Sequence, residues 1–207
     1  MLEIDHVIIV VGDLDAAAAR FEREHGLASV AGGRHPGHGT ANRIIPLRDT
    51  YLELVAVVDD SEASASPFGS YIQARLAESG EGPVALCLRT DDIAAIAERN
   101  GERAFRMSRT RPDGVELSWR LVALDAALEL GLPFFIEWDM ADGDHPGHAH
   151  VDHRIAATGI AWVEVGGDAS RLDAWIGSPV PGIRVVDGAP GVHRVAVSVA
   201  DSDPLVL

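Results

Sequence analysis

The stretch Leu2-Glu3-Ile4-Asp5-His6-Val7-Ile8-Ile9-Val10-Val11-Gly12-Asp13-Leu14 decides the fold. Ile4 to Val11 is apolar and rich in β-branched residues, the composition of a buried strand, and Gly12-Asp13 ends it. A helix follows at once. Asp13 can cap it, Leu14, Ala17, Ala18 and Phe21 share one face at helical spacing, and His25-Gly26 supplies the stop. Beyond it the pattern predicts a strand Leu27 to Ala31, a polar loop Gly32 to Thr40, and strands Ala41 to Leu47 and Tyr51 to Val58 around the turn Arg48-Asp49-Thr50. The first module, residues 1–60, therefore reads βαβββ.

The same order recurs. After a connecting helix in residues 61–82, with Pro67 at a helix start, come strand Val84 to Arg89, caps at Thr90-Asp91-Asp92, a helix face of Ile93, Ile96 and Ala97, and the stop Asn100-Gly101. Strands Ala104 to Ser108, Val115 to Ala123 and Phe134 to Trp138, with a turn at Pro112-Asp113-Gly114, complete a second βαβββ module over residues 83–140. A third, partial copy in residues 155–207 reads as a βαββ extension of the same sheet system: strand Ile160 to Val165, helix face Leu172, Trp175 and Ile176, then two strands. The expected fold class is α+β, with paired βαβββ modules curling mixed sheets around a cleft. All 207 residues belong to one domain in this reading.

With 17 basic against 32 acidic residues, the chain carries a formal charge of −15, which repels phosphate backbones and anionic membranes. Nucleic-acid and membrane partners are not expected. The N-terminus lacks the basic region of a signal peptide and no apolar run reaches spanning length, so a cytoplasmic protein is expected. Cys87, alone in an apolar strand, reads as a small buried hydrophobe.

Three polar residues interrupt apolar strands. His6 shares a face with Ile8 and Val10, Glu53 interrupts Tyr51-Leu52-Glu53-Leu54-Val55, and Glu137 interrupts Phe134-Phe135-Ile136-Glu137-Trp138. A buried carboxylate needs a cation, a metal or strong donors. Each glutamate occupies the last strand of its module two residues after an aromatic, Tyr51 or Phe135, so the repeat suggests that the two correspond. An imidazole and two carboxylates converging from separate strands suit a divalent cation or a hydrogen-bonded polar cluster. Six of the nine histidines lie in two glycine-rich loops, both containing His-Pro-Gly-His. His38, followed by Thr40 and Asn42, could bring polar groups to the pocket rim, and His148 is an alternative loop ligand. Arg120, within an apolar strand, could clamp a substrate carboxylate or serve as counter-ion to a buried glutamate.

Paired βαβββ modules with these residues resemble the vicinal-oxygen-chelate superfamily of glyoxalases, extradiol dioxygenases and antibiotic-resistance binding proteins. More narrowly, Leu2-Glu3-Ile4-Asp5-His6-Val7, Gly33-Arg34-His35-Pro36-Gly37-His38-Gly39-Thr40-Ala41-Asn42, Tyr51-Leu52-Glu53-Leu54, Leu88-Arg89-Thr90-Asp91-Asp92 and Pro133-Phe134-Phe135-Ile136-Glu137-Trp138-Asp139 resemble its glyoxalase-like domain proteins. The resemblance implies a metal between the cups, held by the first and fourth strands of each module. His6, Glu53 and Glu137 match three of those positions, while the helix caps put Val84 or Ala85 opposite His6.

Two functions follow from the resemblance. One is a metal-assisted isomerase or lyase on a small oxygenated substrate, with Zn, Ni, Mn, Fe or Mg as the ion. Glu53 or Glu137 would be general base, and His38, Thr40, Asn42, Arg120 and Trp138 would line the substrate. The other is metal-free small-molecule binding between the cups, which Trp119, Trp138 and Trp162 favour. Because members of the superfamily can exchange halves between subunits, a homodimer is also implied.

Overall fold

In the computed structural model the described residues are 1–111 and 114–207, with Asp142 described in its backbone alone; the expected turn at Pro112-Asp113 lies outside the described residues. The first module is β1 (Leu2–Val10), α1 (Leu14–Arg20, continued by a π turn Phe21–His25), β2 (Val30–His35), β3 (Thr40–Leu47) and β4 (Thr50–Val57). Asp13 caps α1 by accepting from the Ala16 N–H, and Gly26 ends the turn at φ 71°. The polar loop expected over Gly32 to Thr40 is shorter than the sequence suggests. Strand β2 runs through Gly32 and Gly33 to His35, because pairing with β3 supplies the order that two glycines cannot supply alone.

Helices α2 (Asp60–Ser64) and α3 (Pro67–Ser79) form the connection, α3 starting on a Ser66 cap with Pro67 in its first turn. The second module is β5 (Gly82–Thr90), α4 (Ile93–Asn100), β6 (Phe105–Thr110), β7 (Glu116–Val122), α5 (Leu124–Leu130) and β8 (Phe134–Trp138). Its α5 corrects the βαβββ reading to βαββαβ. Leu124, Ala127 and Leu128 bury one stripe of that helix, and Gly131 closes it in the left-handed conformation.

Eight strands form one sheet in the order β2-β3-β4-β1-β5-β8-β7-β6. Within the first module β1 runs parallel to β4, and within the second β5 runs parallel to β8; the modules join through antiparallel β1 and β5. This pseudo-two-fold arrangement curls the sheet until its two edges, β2 and β6, approach each other. The concave face is the pocket.

The C-terminal part corrects a second expectation. Strands β9 (Ala157–Gly166), β10 (Ile183–Val186), β11 (Gly191–Val199) and β12 (Leu205–Val206), with α6 (Ala169–Ile176), form their own sheet, ordered β10-β9-β11-β12. Here β9 pairs in parallel with the strand directly after the helix, a different topology from the first module. Val163, Val165, Val195 and Val197 pack in one core with Ile4, Val7 and Ile9 on the convex side of β1. No helix among the described residues is long and apolar enough to cross a membrane.

Candidate functional site

The period-2 alternation of the strands decides which side chains reach the concave face. His6 and Ile8 come from β1, Tyr51 and Glu53 from β4, Asn42 from β3 and His35 from the end of β2. The second module contributes mostly apolar groups, Phe134, Ile136 and Trp138 from β8 and Trp119 and Leu121 from β7, with Arg109 from β6. The cavity is open at one side and encloses about 620 Å³ including its mouth. One wall is therefore ionic and the other apolar.

Glu53 lies at the centre of the ionic wall. Asn42 Nδ2 donates to its Oε1 at 2.5 Å, His35 Nε2 is 3.5 Å from Oε1, and His6 Nε2 is 3.4 Å from Oε2. Burial pushes the Glu53 carboxyl up, but the contact with His35, the charge of His6 and the Asn42 amide outweigh it and bring the pKa down to about 2. His6 is stacked on Tyr51 at a centroid separation of 4.4 Å, and its Nδ1 meets Asp5 Oδ1 at 2.7 Å. Asp5 is fully buried. Desolvation raises its pKa, yet the bonds from His145 and His6 hold it far below the usual carboxylate range. Trp138 Nε1 donates to Asp5 Oδ2 at 3.0 Å, and His145 Nε2 lies 3.1 Å from that oxygen.

An ionised Asp5 makes His6 Nδ1 the donor and leaves Nε2 facing the Glu53 carboxylate. An imidazole lone pair and a carboxylate so placed repel unless a cation, a proton or a metal ion, joins them. His35 repeats the pattern, with Nδ1 at 2.9 Å from Thr40 Oγ1 and Nε2 turned to Glu53. Imidazoles backed on one nitrogen and presenting the other beside a carboxylate suit a divalent ion. By donor type His6, His35 and Glu53 suit such an ion. A second group, Asp5, His6 and Cys87, places one donor atom each within 4.8 Å of the others. Its donors are spent: both Asp5 oxygens accept bonds, and burial pushes the Cys87 thiol well up, so it stays protonated.

The residues expected from sequence are not all brought together. His6, Asn42, Glu53, His38 and Trp138 line the cavity. Thr40 is buried behind His35. His38 is anchored by Ser66 Oγ at 2.7 Å, and burial and His35 lower its pKa. Glu137 and Arg120 stand on the other face of their strands. Arg120 Nη2 donates to Glu137 Oε1 at 2.5 Å, and the Ile93 N–H donates to Oε2 at 2.7 Å, so Arg120 is counter-ion and Glu137 braces the start of α4. Strand register explains the difference. Ile8 pairs with Glu53 and Cys87 with Phe134, and Ile8 precedes Asp13 by the same interval as Cys87 precedes Asp92. The counterpart of Glu53 is thus Phe134, and the counterpart of His6 is Ala85. The sequence pointed to no site role for Asp5 or Arg109, and to His35 and His145 only as members of histidine-rich loops that could carry ligands. Only Asp5 carried a local signal, as a second charge in a buried strand. The other loop histidines serve the loops: His148 Nε2 meets Asp49 at 3.1 Å, and His153 joins Ala28 and Pro46.

A family model described as a glyoxalase-like domain matches residues 4–180. An ethylmalonyl-CoA/methylmalonyl-CoA epimerase of Cereibacter sphaeroides is 30% identical over 104 residues, covering 50% of this chain and 72% of that protein. Among solved structures, a hypothetical protein from Staphylococcus aureus superposes with a TM-score of 0.77 at 20% identity, covering 98% of this chain and 93% of that one. Methylmalonyl-CoA epimerase from Mycobacterium tuberculosis matches with a TM-score of 0.47 at 21% identity, over 67% of this chain and 87% of that one.

Proposed function

This chain belongs to the glyoxalase-like domain family, and we propose that it is an isomerase of epimerase type that moves a proton on a carbon next to a carbonyl group. The observation that carries the reading is Glu53, a buried carboxylate set between His6, His35 and Asn42 and facing an apolar wall. The epimerase relative points the same way.

In this mechanism the apolar wall of Phe134, Ile136 and Trp119 excludes water and holds the body of the substrate. Glu53, ionised at neutral pH, accepts the proton, and its basicity rises as substrate displaces water from around it. His6, fixed in tautomer and direction by Asp5, presents Nε2 to the carbonyl side of the substrate. Asn42 keeps Glu53 in place. A divalent ion held by His6, His35 and Glu53 would supply Lewis-acid stabilisation of the developing enolate charge.

The test is proton exchange in D2O, followed by NMR at C2 of methylmalonyl-CoA, ethylmalonyl-CoA and simpler 2-substituted acyl thioesters. It is run with Zn, Ni, Mn, Fe or Mg supplied in turn. Exchange above the solvent rate with any of them supports the reading; none across the whole set removes it. A binding-only function is favoured by Phe134 and Ala85 at the counterpart positions of Glu53 and His6. It would give quenching of Trp119 and Trp138 by the same compounds with no exchange.

A further inference from the structure

Arg109 is a buried cation with no carboxylate partner among the described residues. It lies on β6 on the same face as Met107, is 9% exposed, and lines the cavity. Its Nη1 donates to the Gly32 carbonyl, so it spans the gap between the two edges of the curled sheet. Among the described residues no aspartate or glutamate lies within ion-pairing distance of it. Arg43, Arg89, Arg120 and Arg194 are paired with Asp15, Glu3, Glu137 and Glu164, and Arg99 and Arg154, which like Arg109 donate to backbone carbonyls, are exposed to water. A guanidinium cannot shed its proton to relieve burial, and a single carbonyl does not neutralise it. Among the described residues nothing neutralises this charge, which leaves the guanidinium open to an anion that enters the cavity.

Its position says what kind of anion fits. Gly32, which accepts from Arg109, is pressed against Asn42, and Asn42 in turn holds Glu53. Asn42 Oδ1 is buried with no partner. Arg109 and Glu53 therefore line one cavity with charges of opposite sign, and Met107, Trp119 and Ile136 supply apolar lining in the same space. Glu53 disfavours a dianion in the same cavity, whereas a planar monoanion matches the guanidinium fork. We propose that Arg109 is the carboxylate-binding residue of the pocket, and that its ligand is a carboxylic acid with an apolar body. If the isomerase reading holds, that acid is the substrate, and the carboxylate anchor sets which carbon faces Glu53. The anion site itself rests on Arg109.

The experiment is a titration of the full chain, read by the fluorescence of Trp119 and Trp138. The probes are straight-chain carboxylates from propionate to octanoate, each set against its primary amide and the alkylphosphonate of equal length. At least one carboxylate is expected to bind roughly tenfold or more tightly than both analogues, the scale of a charge-assisted bidentate pair. Arg109→Gln should erase that preference while leaving amide binding unchanged, and Arg109→Lys should restore part of it. A purely structural arginine would instead lower Tm in Arg109→Gln without changing the ratio between carboxylate and amide. Equal binding of carboxylate and amide, tighter binding of the phosphonate, no binding of any carboxylate, or a preference that survives Arg109→Gln each overturns the proposal. Should Arg109→Gln fail to fold, the comparison in the unmodified protein still decides. Carboxylate preference without D2O exchange leaves the anion site standing and removes the isomerase; exchange without carboxylate preference does the reverse.

Discussion

Asp5 and Glu53 are held ionised by their neighbours, and that makes a signed prediction about acid. Both carboxyl groups have folded pKa values below their ordinary ones, 3.8 for Asp5 and 4.5 for Glu53. A depressed carboxylate contributes stability above its unfolded pKa and loses it as pH falls toward the folded value. Stability should therefore be steady above about pH 5 and fall progressively below pH 4.5, with Glu53 alone accounting for about 3 kcal/mol of the loss by pH 2. Urea midpoints measured from pH 7 to pH 3 check it. The slope below pH 4.5 should be shallower in Asp5→Asn, and a midpoint that does not move between pH 6 and pH 3 would sink the idea. Asp5→Asn should also release His6 from its fixed tautomer. The proposed exchange activity should drop at least tenfold with little change in KM, measurable by steady-state kinetics.

At the scale of elements, the β2–β3 turn carries His35 and His38 into the site, and Gly39 sets its shape. Gly39 has φ 63°, its carbonyl accepts from the Val58 and Asp59 N–H groups, and a Cβ there would strike the backbone of Asp59 and Ala63. Gly39→Ala should cost roughly 1–3 kcal/mol. It should also displace His38 from Ser66, seen as a shift of the His38 ring signals by NMR; an unchanged Tm and unchanged His38 signals would contradict this. This turn also marks where the sequence stopped being legible. His6 and Glu53 stood out because a polar residue in a buried apolar strand is conspicuous. His35 did not, because Gly32-Gly33 hides the strand that delivers it. Glu137 misled for another reason. Its aromatic neighbour Phe135 matched Tyr51, but alternation puts Phe135 and Glu137 on the face opposite Phe134, Ile136 and Trp138. Arg109 carries no local signal at all, since its role depends on which two sheet edges meet. Helix α5 was not legible, because its buried stripe of Leu124, Ala127 and Leu128 lies in a long apolar run that reads equally as strand and connection.

The whole molecule is a curled sheet with a polar inner wall, sealed on its convex side by the C-terminal sheet. The repeat of strand, cap and helix at Asp13 and Asp92 announced the paired modules. The independent topology of the third unit was hidden, because strand order is a long-range property. Val195 is fully buried between the sheets, in one core with Val7 and Ile9. Val195→Asp places an unpaired charge there and should lower stability by several kcal/mol, with ANS binding at temperatures where the parent protein shows none. A Tm within a degree or two of the parent would show that the two sheets do not share a core.

If proton chemistry resides at Glu53 on the concave face and not at Glu137 on the convex one, substitutions at the two positions must have opposite effects on activity and stability. Deuterium exchange at C2 of whichever acyl thioester the protein turns over, compared between Glu53→Gln and Glu137→Gln at equal folded concentration, tests this directly. Exchange should fall at least a hundredfold in Glu53→Gln. Glu137→Gln should instead lower Tm, from the weakened contact with Arg120, with exchange within a few-fold of the parent. The reverse pattern, exchange surviving in Glu53→Gln and collapsing in folded Glu137→Gln, would contradict this assignment.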